Sequence, residues 1–139
     1  MIPILILAAG QSTRMRGRDK LLEPVDGMPL LRQRALAALG TGQPVFITLP
    51  ALDHPRHATI ADLGVTTIPV PDAATGMAAS LRTGVAALPE CRHFMVLLAD
   101  LPELTAVDLT KLIALPNQHA TRDLDTPEDW AAWRAGTPR

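Results

Sequence analysis

Hydrophobic residues in this chain come in short bursts separated by polar or turn-forming stretches, and the bursts are of two kinds. Apolar or β-branched runs occupy residues 2–7, 44–49, 65–70 and 93–98. Runs of that length, rich in Ile, Val and Leu and bounded by Gly, Pro or polar clusters, predict buried β-strands. Between them the apolar positions recur three and four residues apart, which is the period of a helix with one buried face. Leu30, Leu31, Ala35, Leu36, Ala38 and Leu39 form such a face, with Pro29 suited to the start of the helix and Gly40 and Gly42 to its end. A short helix is expected over residues 57–63, stopped by Gly64. A third follows Gly76 with Ala78, Leu81, Val85 and Leu88 turned to the core, and a fourth covers residues 106–115 behind the N-cap Thr105. Strands alternating with helices imply a parallel sheet with right-handed crossovers. The fourth run, almost wholly apolar, predicts a central strand of that sheet.

Length and composition narrow the class. The 139 residues suit a single domain over 1–139, and 47% apolar residues are enough for a globular core. No apolar run approaches the roughly 18 residues needed to cross a bilayer, and Met1-Ile2-Pro3 lacks the positive leader of a signal peptide. No membrane partner and a cytoplasmic location are therefore expected. Cys91 stands alone, which leaves no disulfide framework and no cysteine zinc site. A net charge of −1 and 3% aromatic residues give no reason to expect nucleic acid as a partner. The charge is unevenly spread, with six Lys/Arg against three Asp/Glu over residues 11–34 and two against seven over residues 100–129. A basic N-terminal half suits phosphates, and an acidic C-terminal half suits a divalent metal.

The candidate chemistry lies where strands end. After the first run, Ala8 and Ala9 lead to Gly10 and then to Arg14, Arg16, Gly17, Arg18 and Lys20. Backbone N–H groups and cationic side chains can converge there on one anion, as they do around a polyphosphate. No second Gly stands two residues after Gly10, and no Gly-Lys-Ser/Thr ending follows, so both common phosphate fingerprints are disfavoured. After the third run, Asp72 and Gly76 precede a helix whose first turn carries Ser80, and the free N–H groups of that turn favour a phosphate or a polar base edge. After the fourth run comes Asp100, in Ala99-Asp100-Leu101-Pro102. A carboxylate at the carboxyl end of a strand, where open α/β sheets bind ligands, is a good Mg²⁺ ligand. Near the C-terminus Thr126, Pro127 and Asp129 read as the capped start of a helix. That leaves Asp123 or Asp125 to approach Asp100, and Asp123 is the better placed. His54 and His57 have no carboxylate or Cys at ligand spacing and read as surface residues; His119 reads as a loop residue.

These segments together resemble the nucleotidyltransferases that activate the molybdenum cofactor. The matching residues are Leu7-Ala8-Ala9-Gly10, Ser12, Arg14-Met15 and the stretch from Gly17 to Leu22, with Arg16 as an insertion. Gly76, Ser80-Leu81 and Gly84 match next, then Asp100-Leu101-Pro102 with Thr105, and finally Asp123-Leu124-Asp125-Thr126-Pro127-Glu128-Asp129. The resemblance implies an α/β, Rossmann-like three-layer fold of the nucleotide-diphospho-sugar transferase type with a mostly parallel sheet. The fold would be truncated, because only residues 116–121 stand where the family inserts further strands and a helix that form much of the acceptor pocket. It implies a Mg²⁺-dependent enzyme that moves a nucleoside monophosphate from an NTP to a phosphate-bearing acceptor such as molybdopterin, releasing pyrophosphate. By the same resemblance Arg14 and Lys20 would be catalytic. Leu7, Ala8, Ala9, Gly10, Arg14, Lys20, Asp72, Gly76 and Ser80 would bind the nucleotide, and Asp100 and Asp123 the metal. Ala9 is more similar to the cytidylyl than the guanylyl branch, which favours CTP over GTP. Three alternatives follow: a non-catalytic nucleotide-binding module that has lost the acceptor half, a chain completed by a partner subunit, and a sugar-phosphate nucleotidyltransferase with a similar loop.

Overall fold

A computed structural model describes residues 1–11 and 18–114, together with residues 127, 128, 131 and 135. In chain order, the described elements begin with strand β1 (Ile4–Leu7), the two short strands β2 (Pro24–Val25) and β3 (Met28–Pro29), and helix α1 (Leu30–Leu39). They continue through β4 (Val45–Leu49), α2 (Pro55–Ala58), β5 (Thr66–Pro69), α3 (Met77–Ala87), β6 (Met95–Leu98) and α4 (Ala106–Ile113).

The expected strands pair as a parallel sheet in the order β5-β4-β1-β6. Ile4 lies opposite Val45 on one side and Met95 on the other, and Phe46 opposite Thr66. β1 is thus flanked on both edges, which is why Ile4, Leu5 and Ile6 are completely buried. Alternate residues of a strand serve opposite faces of the sheet. Ile4, Ile6, Val45, Ile47, Leu49 and Leu97 join Leu30, Leu31, Ala35 and Ala38 of α1 and Leu109 of α4 in one core. Leu5 faces the other way, toward α3. The result is helix, sheet, helix: the three-layer α/β architecture that the family resemblance implied. β2 and β3 form a small antiparallel hairpin whose turn, Asp26-Gly27, has φ of 52° and 81°. Both values are left-handed, as a two-residue hairpin turn of this kind requires, and Asp-Gly is a pair that tolerates them.

Four expectations are corrected. The helix expected over residues 57–63 is instead α2, one turn at Pro55–Ala58, with Pro55 in the first turn and the His54 Nδ1 accepting the Arg56 N–H at 3.1 Å. The face of α1 buries Arg34 and leaves Leu36 38% exposed. The buried face of α3 is Ala79, Ser80 and Gly84, while Leu81 and Val85 are exposed. Small residues win there because the helix lies close on the sheet. A Cβ at Gly84 would sit 2.9 Å from Leu5 Cδ1 and 3.0 Å from Thr48 Cγ2, so the larger side chains must point elsewhere. Finally, β6 is an edge strand among the described residues, and Val96 is 42% exposed. Its apolar composition matched a central strand because composition reports hydrophobicity and not how many neighbours a strand has.

Candidate functional site

The order of connections locates the site. From β1 the chain moves outward to β4 and then β5, and returns through α3 to β6 on the opposite side of β1. The direction of winding reverses between β1 and β6, and ligands of open α/β sheets bind beyond the carboxyl ends of strands at such a reversal. Two sequence-predicted residues meet there. The Lys20 Nζ lies 3.8 Å from the Asp100 Oδ2, and both side chains are about half exposed. A cation and a carboxylate separated by eighty positions in sequence are thus brought together where a ligand could reach both.

The loop after β1 is held from behind. Leu7 to Gly10 carry the chain off the strand, with Ala8 and Ala9 buried and Gly10 exposed. The loop re-enters regular structure at Asp19, whose Oδ1 accepts the Leu21 N–H at 3.0 Å and so caps a single 3₁₀ turn, Lys20–Leu22. Both ends of the loop converge on Arg56 of α2, a residue that sequence reasoning passed over. Its Nη1 donates to the carbonyls of Ala8 and Gly10, each at 2.7 Å. Its Nε and Nη2 donate to the two carboxylate oxygens of Asp19 at 2.7 and 3.0 Å. The Arg56 side chain is only 3% exposed. The one available signal was His54-Pro55, a cap followed by proline, which marks a helix start just before Arg56 but not the partners of its side chain.

The start of α3 packs against the same loop. Ala9 forms a small apolar cluster with Val70 and Ala79. The Ala8 N–H donates to Thr48 Oγ1 at 3.1 Å, and that hydroxyl is 2.6 Å from the Ser80 hydroxyl. Ser80 is buried, so it meets the loop through Thr48. Gly76, at φ 127°, holds a conformation that L side chains rarely adopt and turns the chain into α3. Asp72, which follows β5, has its carboxylate 3.7 Å from Arg82 Nη2.

The loop after β6 is also supported. The Pro102 carbonyl accepts from Arg34 Nη2 at 3.1 Å and Gln33 Nε2 at 3.4 Å, which ties the Asp100 turn to α1. Arg34 is 2% exposed, and its Nη1 has no hydrogen-bond partner among the described residues. Burial lowers its pKa from the usual arginine value. Further on, Thr105 and Asp108 form a capping box: the Thr105 N–H donates to Asp108 Oδ2 at 3.0 Å and the Asp108 N–H to Thr105 Oγ1 at 3.2 Å. Those donors, the Thr105 backbone N–H first and its hydroxyl second, hold the Asp108 carboxyl below its ordinary pKa.

Among the described residues, no group of three or more His, Cys, Asp or Glu side chains is placed to hold a metal ion. Asp100 is the described carboxylate at the strand ends that faces solvent beside Lys20. Arg14, Asp123, Asp125, His119 and Thr126 lie outside the described residues. No helix among the described residues is long and apolar enough to cross a membrane.

Comparison with known proteins agrees with the fold. The chain is 33% identical over 133 residues to the bifunctional protein GlmU of Clavibacter sepedonicus, covering 88% of this chain and 26% of that one. It therefore spans about a quarter of the length of this curated relative. A nucleotidyl transferase from Methanothermobacter thermautotroptrophicus superposes with a TM-score of 0.72 at 21% identity, over 81% of this chain and 56% of that one. Rv0371c from Mycobacterium tuberculosis H37Rv superposes at 0.69 with 28% identity, over 82% and 59%. A complex of that protein with manganese superposes at 0.63 with 24% identity, over 81% and 57%. The profile of the MobA-like NTP transferase domain matches residues 4–130. Nearly the whole chain is thus accounted for by one profile, and it belongs to the family of MobA-like NTP transferase domains.

Proposed function

We propose that the chain binds a nucleoside triphosphate at the carboxyl ends of β1 and β6 and transfers its nucleoside monophosphate to a phosphate on an acceptor. The observation that carries this reading is the meeting of Lys20 and Asp100, at 3.8 Å, at the sheet's reversal point. A phosphate oxygen of the acceptor attacks the α-phosphorus, the bond from that phosphorus to the bridging oxygen breaks, and pyrophosphate departs. Lys20, joined by Arg14, neutralises charge that grows on the triphosphate in this step, and no protein nucleophile is needed.

The donor set fits Mg²⁺, which is commonly held by one or two carboxylates with water and substrate phosphates and not by an all-protein cage. Asp100 would hold it, with Asp123 as the second carboxylate. When bound, the ion would add charge neutralisation on the phosphates and orient them. The manganese complex of Rv0371c supports a divalent metal in this fold. Lys20 and Asp100 satisfy each other's charge until the nucleotide separates them.

The nucleotide we favour is CTP over GTP, on the strength of Ala9, and the acceptor a phosphate such as that of molybdopterin. A sugar phosphate is the second reading, favoured by the 33% identity to GlmU. A nucleotide-binding module without transfer, or one completed by a partner subunit, is favoured by the chain's coverage of only 56% and 59% of the two solved chains.

Thermal melting with CTP, GTP, ATP and UTP, with and without Mg²⁺, tests the reading on the intact chain and on Asp100→Ala. One Mg-NTP at about 100 times its Kd should add roughly 2.7 kcal/mol to stability, and Asp100→Ala should remove the gain. Pyrophosphate release with each acceptor then separates the transferase readings from the binding module. A folded chain that no nucleotide stabilises would end the proposal.

A further inference from the structure

We infer that Arg56 is the positioning residue of the nucleotide loop, the group that turns the chain after β1 into a receptor for phosphate. The inference rests on the nucleotide site proposed above and adds to it the residue that gives the site its shape. Three observations converge. The guanidinium is 3% exposed, so it is not itself available to a ligand in solvent. It takes the carbonyls of Ala8 and Gly10 at 2.7 Å each, at the start of the loop. It grips both oxygens of Asp19 at the end of the loop, immediately before Lys20.

The consequence follows from peptide geometry. The described peptides are all trans, so each carbonyl points opposite to the N–H of the next residue. With the Ala8 and Gly10 carbonyls drawn toward Arg56, the N–H groups of Ala9 and Gln11 are turned away from it. The negative ends of two peptide dipoles are held against a cation, and the positive ends point away from it, which is the orientation an anion at the strand end requires. An unsupported loop could rotate either peptide and present a carbonyl to the phosphate, which would repel it. At the far end, the Arg56–Asp19 contact keeps Asp19 as the cap of the Lys20–Leu22 turn. That turn sets the root of Lys20, whose Nζ reaches Asp100. One buried side chain therefore fixes the backbone donors and the lysine relative to each other. Lysine could occupy the space but has no planar fork with which to bridge two carbonyls and a carboxylate at once.

Titration calorimetry with Mg-CTP, Mg-GTP, Mg-ATP and Mg-UTP tests this on the full chain, on Arg56→Lys and on Arg56→Ala with and without added guanidinium. Amide hydrogen exchange at Ala9 and Gln11 is followed without nucleotide. Arg56→Ala and Arg56→Lys should each weaken the bound nucleotide roughly tenfold or more, the scale of loss when a supporting residue of a site is removed. Exchange at Ala9 and Gln11 should quicken, and guanidinium should restore part of both effects in Arg56→Ala, which a general loss of stability would not allow. A folded Arg56→Ala or Arg56→Lys with wild-type affinity and wild-type exchange would overturn the inference. If Arg56→Ala does not fold, Arg56→Lys decides by the same two readouts. If the wild-type chain binds none of the four nucleotides, the nucleotide site itself falls, whereas quickened exchange in the variants would still show Arg56 ordering the loop.

Discussion

Each of the two loops that meet at the site is backed by a buried arginine, and the two arginines are not equivalent. Arg56, behind the loop after β1, spends its donors on two carbonyls and a carboxylate. Arg34, behind the loop after β6, reaches the Pro102 carbonyl and the Gln33 side chain, and leaves Nη1 without a partner among the described residues. Burying a charge is costly unless it is paired and hydrogen-bonded. The first arginine answers that cost with Asp19. The second has no carboxylate bonded to it among the described residues, and burial lowers its pKa. The comparison separates a charge that ties two ends of one loop together from one that makes one long-range contact, to the Pro102 carbonyl, and one with its neighbour Gln33.

Removing each guanidinium should expose that difference most strongly. Arg56→Met is expected to cost about 3 kcal/mol, because it strands Asp19 and two carbonyls together. Chemical denaturation measures it, and a cost below that of Arg34→Met would break the comparison. Pairing the substitution with Asp19→Leu should recover part of the loss if the two residues act as a unit.

Thr105→Ala sharpens the contrast from the other loop. The capping box fixes the chain just past Asp100, so its loss should cost about 1 kcal/mol, read from the same denaturation curves. Nucleotide binding should respond less to this change than to any change at Arg56.

Arg34→Met should be nearly silent, within about 1 kcal/mol or mildly stabilising, since a buried charge disappears while Gln33 still donates to Pro102. A loss comparable to that of Arg56→Met would mean that Nη1 has a partner in solution.

The smallest effect is expected from acid. Asp108 is held below its ordinary pKa by the Thr105 donors, and Asp62 by its hydrogen bonds from Arg32. A carboxyl with a depressed folded-state pKa binds fewer protons folded than unfolded, so stability is full above the unfolded value, near pH 4. It should decline as pH falls below that value through the folded one. A melting temperature that rises on acidification through this window would contradict both contacts.

The sheet was legible in the sequence because β1, β4 and β6 are short runs dense in apolar residues and β5 is a β-branched run, signals that need no knowledge of partners. The start of α1 just after Pro29, one residue later than expected, and the cap at Thr105 were legible for the same reason, being written in neighbouring residues. What packs against what was less so. Leu81 and Val85 carry the helical period of α3, but close approach at Gly84 turned the small residues inward. At the site, Lys20 and Asp100 were visible from the residue types and their places at strand ends. Arg56 was not, since its meaning lies in partners 37 to 48 residues earlier in the chain, and a lone arginine beside His54 and Pro55 gives no sign of them.

That separation bears on how the protein is made. Translation delivers Gly10 46 residues before Arg56, a lead of several seconds at about 5–20 residues per second. Throughout that interval the cationic loop exists on the nascent chain without the side chain that arranges its peptides. The proposed phosphate receptor would therefore be assembled only after β4 and α2 have emerged from the ribosome, and a chain interrupted before that point would carry the motif without Arg56 behind it.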